Sequence, residues 1–326
     1  MSETRVIAVN PGRFTPEETA AVVESLRAGG AAAVPTDALY ALVARLDLPE
    51  AAARLKDAGS VARLLASRDD LRTLSPSALR LIRRFWPGPL TVVLGDQAFR
   101  CPNDPVAKDL LRRAGAPLGA VELADVGAGK ADVRLDAGPT RQKSPSTVVR
   151  IGGARAELLR EGAIPRSMIE EADLFTILFV CTGNTCRSPM AEALMRKLLA
   201  DRLNVREDEL AAKGYRVISA GTGAQAGGAA TEEAEIAVRA YGADLSRHAS
   251  RPVSMTLVEE ADRVYVMTPR HKRDLEEWMP EQAAKIQPLD PRGAAVEDPI
   301  GGDASVYKAS AKRIRDALQE RLKDIP

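Results

Sequence analysis

The chain has 326 residues, 45% apolar and 28% charged, values of an ordinary globular protein long enough for two domains with separate cores. With 46 basic against 45 acidic residues the net charge is +1, so no basic excess points to nucleic acid and no charge block is long enough for a disordered tail. Three cysteines (Cys101, Cys181, Cys186) and two histidines (His248, His271) exclude a disulfide scaffold and a structural zinc site, and no metal or cofactor is expected.

The N-terminus is polar, and no run of 18 apolar residues occurs, so neither a signal peptide nor a membrane span is expected and the protein reads as cytosolic. Apolar spacing predicts a helix over 15–28 that stops at Gly29-Gly30, a strand over 31–34, helical stretches at 49–57 and 75–85, and strands at 90–94 and 147–150. That order is α+β or mixed α/β. Residues 163–167 and the polar run Glu170-Glu171-Ala172-Asp173 mark a boundary, which divides the chain into 1–165, a linker at 166–174, and 175–326.

Beyond the linker, strands and helices alternate. A buried strand over 175–180 is followed by a helix over 189–203, whose Met190, Leu194, Leu198 and Leu199 recur at helical spacing. A strand around 215–219 comes next, then a helix from the capping Thr231 to Gly242. A strand over 263–267, a short helix ended by Pro280 and an amphipathic helix over 304–323 complete the pattern. It predicts a doubly wound α/β domain with a parallel sheet.

Chemistry concentrates where the first of these strands turns into its helix, in Cys181-Thr182-Gly183-Asn184-Thr185-Cys186-Arg187-Ser188-Pro189. Ligands of open α/β sheets bind at the carboxyl ends of strands, and helix N-termini offer free N–H groups to anions. The helix terminus and the Arg187 cation favour a thiolate at Cys181, while the planar Arg187 fork can hold two oxygens of a phosphate. Gly183 is expected to permit the tight curvature, Ser188 to cap the helix, and Pro189 to open it. The five residues between Cys181 and Arg187 can wrap a tetrahedral anion, which implies phosphoryl transfer to sulfur followed by hydrolysis.

With these residues in place, 175–326 resembles the low-molecular-weight protein tyrosine phosphatase family, whose signature is the Cys-Arg-Ser loop near the start and an Asp-Pro pair near the end, here Asp298-Pro299. Ser219-Ala220-Gly221-Thr222 and Met267-Thr268-Pro269-Arg270-His271-Lys272 are similar to further family landmarks. The resemblance implies Cys181 as nucleophile, Arg187 as phosphate clamp and Asp298 as general acid and then general base, with Asn184 shaping the loop and Ser188 bonding the thiolate. Cys186 is either a small buried residue or a thiol that caps an oxidised Cys181.

Thr185 and Asp298-Pro299-Ile300-Gly301-Gly302, with no aromatic before Tyr307, resemble the protein arginine phosphatase branch. Thr185 is then the specificity residue, and the partner is a phosphorylated protein. Phosphotyrosine is the alternative substrate. Arsenate reductases share the loop but use downstream cysteines, and no cysteine follows Cys186.

Residues 1–165 resemble the YrdC-like domain of threonylcarbamoyl-AMP synthases through Pro35-Thr36-Asp37, Tyr40, Trp86-Pro87-Gly88-Pro89-Leu90-Thr91, Ser146-Thr147-Val148-Val149 and Leu159-Arg160-Glu161-Gly162. The family's basic pair and its Ser-x-Asn pair are missing. Asp57-Ala58 follows Lys56, and Ala120-Val121-Glu122-Leu123 stands where the second pair belongs. Thr36, Lys56, Ser146 and Thr147 therefore read as a vestigial nucleotide or threonine site. A bifunctional enzyme of tRNA modification is the competing reading.

Overall fold

In the computed structural model, which describes residues 4–10, 15–71, 74–125, 131–153 and 155–326, the chain divides after Asp173 into two units, each with its own sheet. The first unit carries β1 (Arg5–Ala8), α1 (Pro16–Arg27), β2 (Ala31–Val34), β3 (Ala41–Arg45), α2 (Pro49–Ala58), β4 (Ala62–Leu64) and α3 (Pro76–Phe85). It continues with β5 (Leu90–Leu94), β6 (Gln97–Arg100), α4 (Pro105–Ala114), β7 (Leu118–Glu122), β8 (Val133–Asp136), β9 (Thr147–Ile151), β10 (Ala156–Arg160) and α5 (Arg166–Ala172). Its strands form a mixed sheet in the order β1-β8-β2-β3-β7-β4-β6-β5-β9-β10.

Helices α1 to α4 each open on proline, whose fixed φ and missing N–H suit a first helical turn; Thr15, Ser75 and Asp104 cap α1, α3 and α4 through side-chain oxygens. The stretch expected as a linker is a correction. Residues 166–172 are helical because Ile169 packs among Ala78, Leu81 and Trp86. Directly after the helix, buried Asp173 takes hydrogen bonds from Ser77 (2.6 Å) and Arg80 (3.0 Å).

The second unit holds β11 (Phe175–Cys181), α6 (Arg187–Leu203), β12 (Tyr215–Gly221), α7 (Glu232–Arg239), α8 (Met255–Glu260), β13 (Arg263–Val266), α9 (Pro269–Trp278), β14 (Ile286–Pro288) and α10 (Ala304–Arg321). Its strands are all parallel, in the order β12-β11-β13-β14. Alternate residues of β11 serve different cores: Ile177 and Phe179 join Met190, Leu194 and Ile314, while Leu178 and Val180 join Val258 and Leu275. Cover on both faces explains why this strand is buried along its whole length, each large apolar side chain contributing about 1.5–3 kcal/mol by burial.

β11 is the first strand of its sheet and lies between β12 and β13, so the chain runs from it to one side and then crosses to the other. Its carboxyl end is a topological switch point, where α/β sheets bind ligands. Cys181 stands there.

Candidate active site

Cys181 is buried, and the chain turns through 182–186 before α6 begins at Arg187. The helix was expected to open at Pro189 with Ser188 as its cap. It starts earlier: Cys186 occupies the cap position without a side-chain cap bond, and Ser188 lies inside the first turn. The Ser188 hydroxyl turns back to the sheet, 2.9 Å from Cys181 Sγ and 3.2 Å from the Ala220 carbonyl. Pro189 still fits, because the first-turn N–H groups have no partner within the helix.

Curvature of the loop is also placed differently from expectation. Gly183 stays out of the left-handed region, and a Cβ there meets only Thr185 Oγ1 at 3.4 Å. Asn184 takes the left-handed conformation instead, with φ 54°. Asparagine tolerates this region, and here its side chain is held on all sides. Asn184 Nδ2 donates to Ser188 Oγ (3.0 Å) and Ser219 Oγ (2.8 Å), and Oδ1 accepts the Arg251 N–H at 2.8 Å. Its carbonyl lies 2.8 Å from His248 Nε2, and Ser219 in turn donates to Glu192 Oε2 at 2.6 Å.

A glycine is required beside the loop. A Cβ on Gly221, at the end of β12, meets the Thr182 carbonyl at 2.4 Å and the Asn184 nitrogen at 2.9 Å. Glycine lets the strand approach that closely.

The Asn184 N–H donates to the thiol sulfur at 3.3 Å, and the Ser188 hydroxyl lies 2.9 Å from it, where either group can donate. Ser188 has one proton, since its oxygen already accepts from Asn184 Nδ2. Given to sulfur, that proton stabilises a thiolate; given to the Ala220 carbonyl, it leaves the sulfur its own.

Arg187 is buried and reaches away from the helix: Nη1 donates to the Val296 carbonyl (3.2 Å) and Nη2 to Asp298 Oδ2 (2.5 Å). Asp298, remote in sequence, is 44% exposed at its side chain, and Arg187 Nε is buried without a protein partner. His271 packs beside this pair, its Nε2 2.9 Å from Thr182 Oγ1 and its Nδ1 2.9 Å from Thr268 Oγ1, which caps α9. Burial, aided by Arg187, holds the His271 ring below the usual histidine range.

Thr185 is half-buried, with its hydroxyl 3.6 Å from Cys186 Sγ and its carbonyl accepting the Thr231 N–H at the start of α7. Cys186 is buried, its thiol 3.4 Å from the Tyr307 hydroxyl and 3.7 Å from Thr231 Oγ1. Burial and the Cys186 contact push Tyr307 up to about 12. Tyr307, the first aromatic after Asp298, is thus packed into the core, and the residue exposed beside Asp298-Pro299 is Ile300.

Sequence reasoning placed Cys181, Thr182, Asn184, Thr185, Cys186, Arg187, Ser188 and Asp298, and the structure gathers them around one loop. It missed His248, Glu192 and the bonding role of His271, because single polar residues far along the chain carry no spacing signal. In the first unit, Thr36 and Ser146 are linked through Arg100 and Glu122, whereas Thr147 spends its hydroxyl on the 162–164 backbone. Lys56 is exposed on α2, which buries Ala51 and Leu55, and no described hydrogen bond joins it to the other three. Among the described residues no group of three or more His, Cys, Asp or Glu side chains can hold a metal, and no helix is long and apolar enough to cross a membrane.

Both units are similar to known protein families. Residues 176–325 match the family described as low molecular weight phosphotyrosine protein phosphatase, and residues 24–124 match the Sua5, YciO and YrdC family described as telomere recombination. The protein-arginine-phosphatase of Bacillus subtilis (strain 168) is 39% identical over 155 residues, 46% of this chain and 93% of that protein. Low molecular weight protein-tyrosine phosphatase A of Mycobacterium tuberculosis is 36% identical over 166 residues, 46% of this chain and 96% of that protein. A solved mutant of YwlE from Bacillus subtilis shares 34% identity, covering 46% of this chain and 98% of that chain, with a TM-score of 0.41. Through residues 176–325 the chain belongs to the low molecular weight phosphotyrosine protein phosphatase family, a family of protein phosphatases, joined to an N-terminal YrdC-like unit.

Proposed function

We propose that the second unit hydrolyses phosphoarginine in proteins through a cysteinyl-phosphate intermediate. The observation that carries this is the Cys181 thiol at the β11 switch point, with the Asn184 N–H and Ser188 hydroxyl directed at it and the Arg187–Asp298 pair beside it. Arg187 turns from Asp298 to the phosphate, and its unpartnered Nε adds a donor there. Cys181 sulfur attacks phosphorus, the P–N bond breaks, and protonated Asp298 gives its proton to the leaving guanidine nitrogen. Water then attacks the phosphorus and passes a proton to Asp298; the S–P bond breaks, leaving a thiolate and inorganic phosphate.

Phosphoarginine is favoured over phosphotyrosine by two features of the entrance. Thr185 places a hydroxyl in the loop where tyrosine-directed members of the family carry an aliphatic residue, and Tyr307 is buried against Cys186, so the large apolar residue exposed next to Asp298-Pro299 is the aliphatic Ile300 and not an aromatic. The names of the relatives cover both substrates, so the preference rests on these residues alone. Turnover of matched phosphoarginine and phosphotyrosine peptides tests it. Thr185→Ile should move the ratio toward phosphotyrosine by roughly tenfold, the scale of one pocket contact. An unchanged ratio removes Thr185 from specificity.

The first unit is read as a degenerate YrdC-like module, because Glu122 stands where the family carries a polar pair and Lys56 is exposed away from Thr36 and Ser146. Incubation with ATP, threonine and bicarbonate should release no pyrophosphate. Release of pyrophosphate establishes the bifunctional reading.

A further inference from the structure

The polar centre of the first unit is assembled around a carboxylate. Glu122 ends β7, and its oxygens meet separate donors: Oε1 accepts from Arg100 Nη1 (2.9 Å) and the Ser146 N–H (2.8 Å), Oε2 from Arg160 Nη2 (2.5 Å). Arg100 Nη2 reaches Asp37 Oδ1 at 2.9 Å and Thr36 Oγ1 at 3.1 Å. Hydroxyls border the same group, with Ser146 Oγ 2.9 Å from Thr91 Oγ1 and 3.1 Å from Arg160 Nη2.

Two guanidinium groups, a backbone N–H and neighbouring hydroxyls around one small anion make a set suited to a carboxylate or phosphate ligand. Here the anion belongs to the chain. The arrangement is graded in depth: side-chain exposure is 4% for Arg100, 14% for Glu122 and 45% for Arg160, so the group opens to solvent on the Arg160 side. Asp37 Oδ2 and Arg100 Nε are buried without a protein partner, so hydrogen-bonding capacity remains around the carboxylate even with Glu122 in place.

We propose that Glu122 is the internal occupant of an anion site, filling the position of a small oxyanion, so that the native first unit takes no carboxylate or phosphate ligand there. The inference concerns the first unit and holds or fails independently of the phosphatase reading. It predicts chemical rescue. The full chain with Trp278→Phe reports the first unit alone through buried Trp86, since these are its two tryptophans. In that background Glu122→Ala should lower the unfolding temperature by roughly 10 °C, because two guanidinium groups lose their shared counter-charge.

Formate, acetate or inorganic phosphate, compared with chloride at equal ionic strength, should restore about 3 °C or more in Glu122→Ala and leave the parent unmoved. Glu122→Ala combined with Arg160→Ala should not be rescued. Should Glu122→Ala fail to fold, Glu122→Asn keeps an acceptor for Arg100 while opening the Arg160 side, and the same rescue is expected at smaller scale. A folded Ala or Asn variant indifferent to every anion overturns the proposal. So does a parent stabilised as much as the variant, because the guanidinium groups are then open to ligand with Glu122 in place.

Discussion

Each unit has a buried arginine at its polar centre, and the two arginines are held in opposite ways. Arg187 spends one terminal nitrogen on a backbone carbonyl and the other on Asp298, whose side chain is 44% exposed. Arg100 spends its terminal nitrogens on Thr36, Asp37 and Glu122, with Asp37 only 5% and Glu122 14% exposed. A buried cation needs a counter-charge, but the cost of losing it depends on where the partner goes. Asp298, already 44% exposed, can be solvated once the pair opens, whereas Asp37 is buried and Glu122 is held by Arg100, Arg160 and the Ser146 N–H. The first arrangement keeps a guanidinium exchangeable between protein and ligand; the second commits it to the fold.

The largest effects expected from this contrast lie in the second unit. Cys181→Ser removes the proposed nucleophile and should lower phosphopeptide turnover at least about 10⁴-fold, with the variant still folded by circular dichroism. Asp298→Asn keeps the shape and loses the proton, so kcat should fall roughly 10²–10⁴-fold while KM moves little. Were KM to rise and kcat to hold, Asp298 would be a binding residue and the proton-transfer role would be lost. Arg100→Met inverts the pattern. It leaves buried Asp37 without its cation and Glu122 with Arg160 alone, and should destabilise the first unit by about 3–5 kcal/mol in urea melts, with turnover at room temperature within twofold of the parent. A melt indistinguishable from the parent would put Arg100 in the exchangeable class with Arg187.

How legible these centres were in the sequence differs for the same physical reason. The Cys181–Arg187 loop is contiguous and sits between a fully buried strand and a helix, so local pattern places the loop and the parallel sheet around it. The first unit's centre draws on Thr36, Asp37, Arg100, Glu122, Ser146 and Arg160, which lie on or beside different strands and are joined only by sheet order. Strands such as β3, β4 and β7 were not read at all, because three to five residues rich in Ala, Arg and Gly carry too little alternation. Within the loop, pattern failed where hydrogen bonding overrides preference. Asn184 takes the left-handed turn instead of Gly183 because its amide bonds Ser188, Ser219 and Arg251 at once, and α6 starts at Arg187 because Ser188 turns to the thiol.

The smallest effect concerns His271, which stands between the loop and the Arg187–Asp298 pair. Burial and Arg187 oppose its protonation, Arg270 adds to them, and Asp274 and Asp298 act the other way, with a net fall below the ordinary 6.5. An unfolded chain therefore binds this proton at a higher pH than the folded one, and below about pH 6.5 it holds more protons than the native state. The ring's contribution to stability is complete above that pH and is lost as the pH falls toward the folded value. His271→Gln removes the titration while leaving an amide able to bond Thr182. Relative to this variant, the parent's second unit should lose at most about 1.4 kcal/mol per pH unit below pH 6.5, and nothing between pH 7 and 8. Urea unfolding of both proteins at pH 7.5, 6.5 and 5.5 measures the difference. A flat difference across that range would mean that the ring accepts its proton in place, with Asp274 and Asp298 supplying what burial withholds.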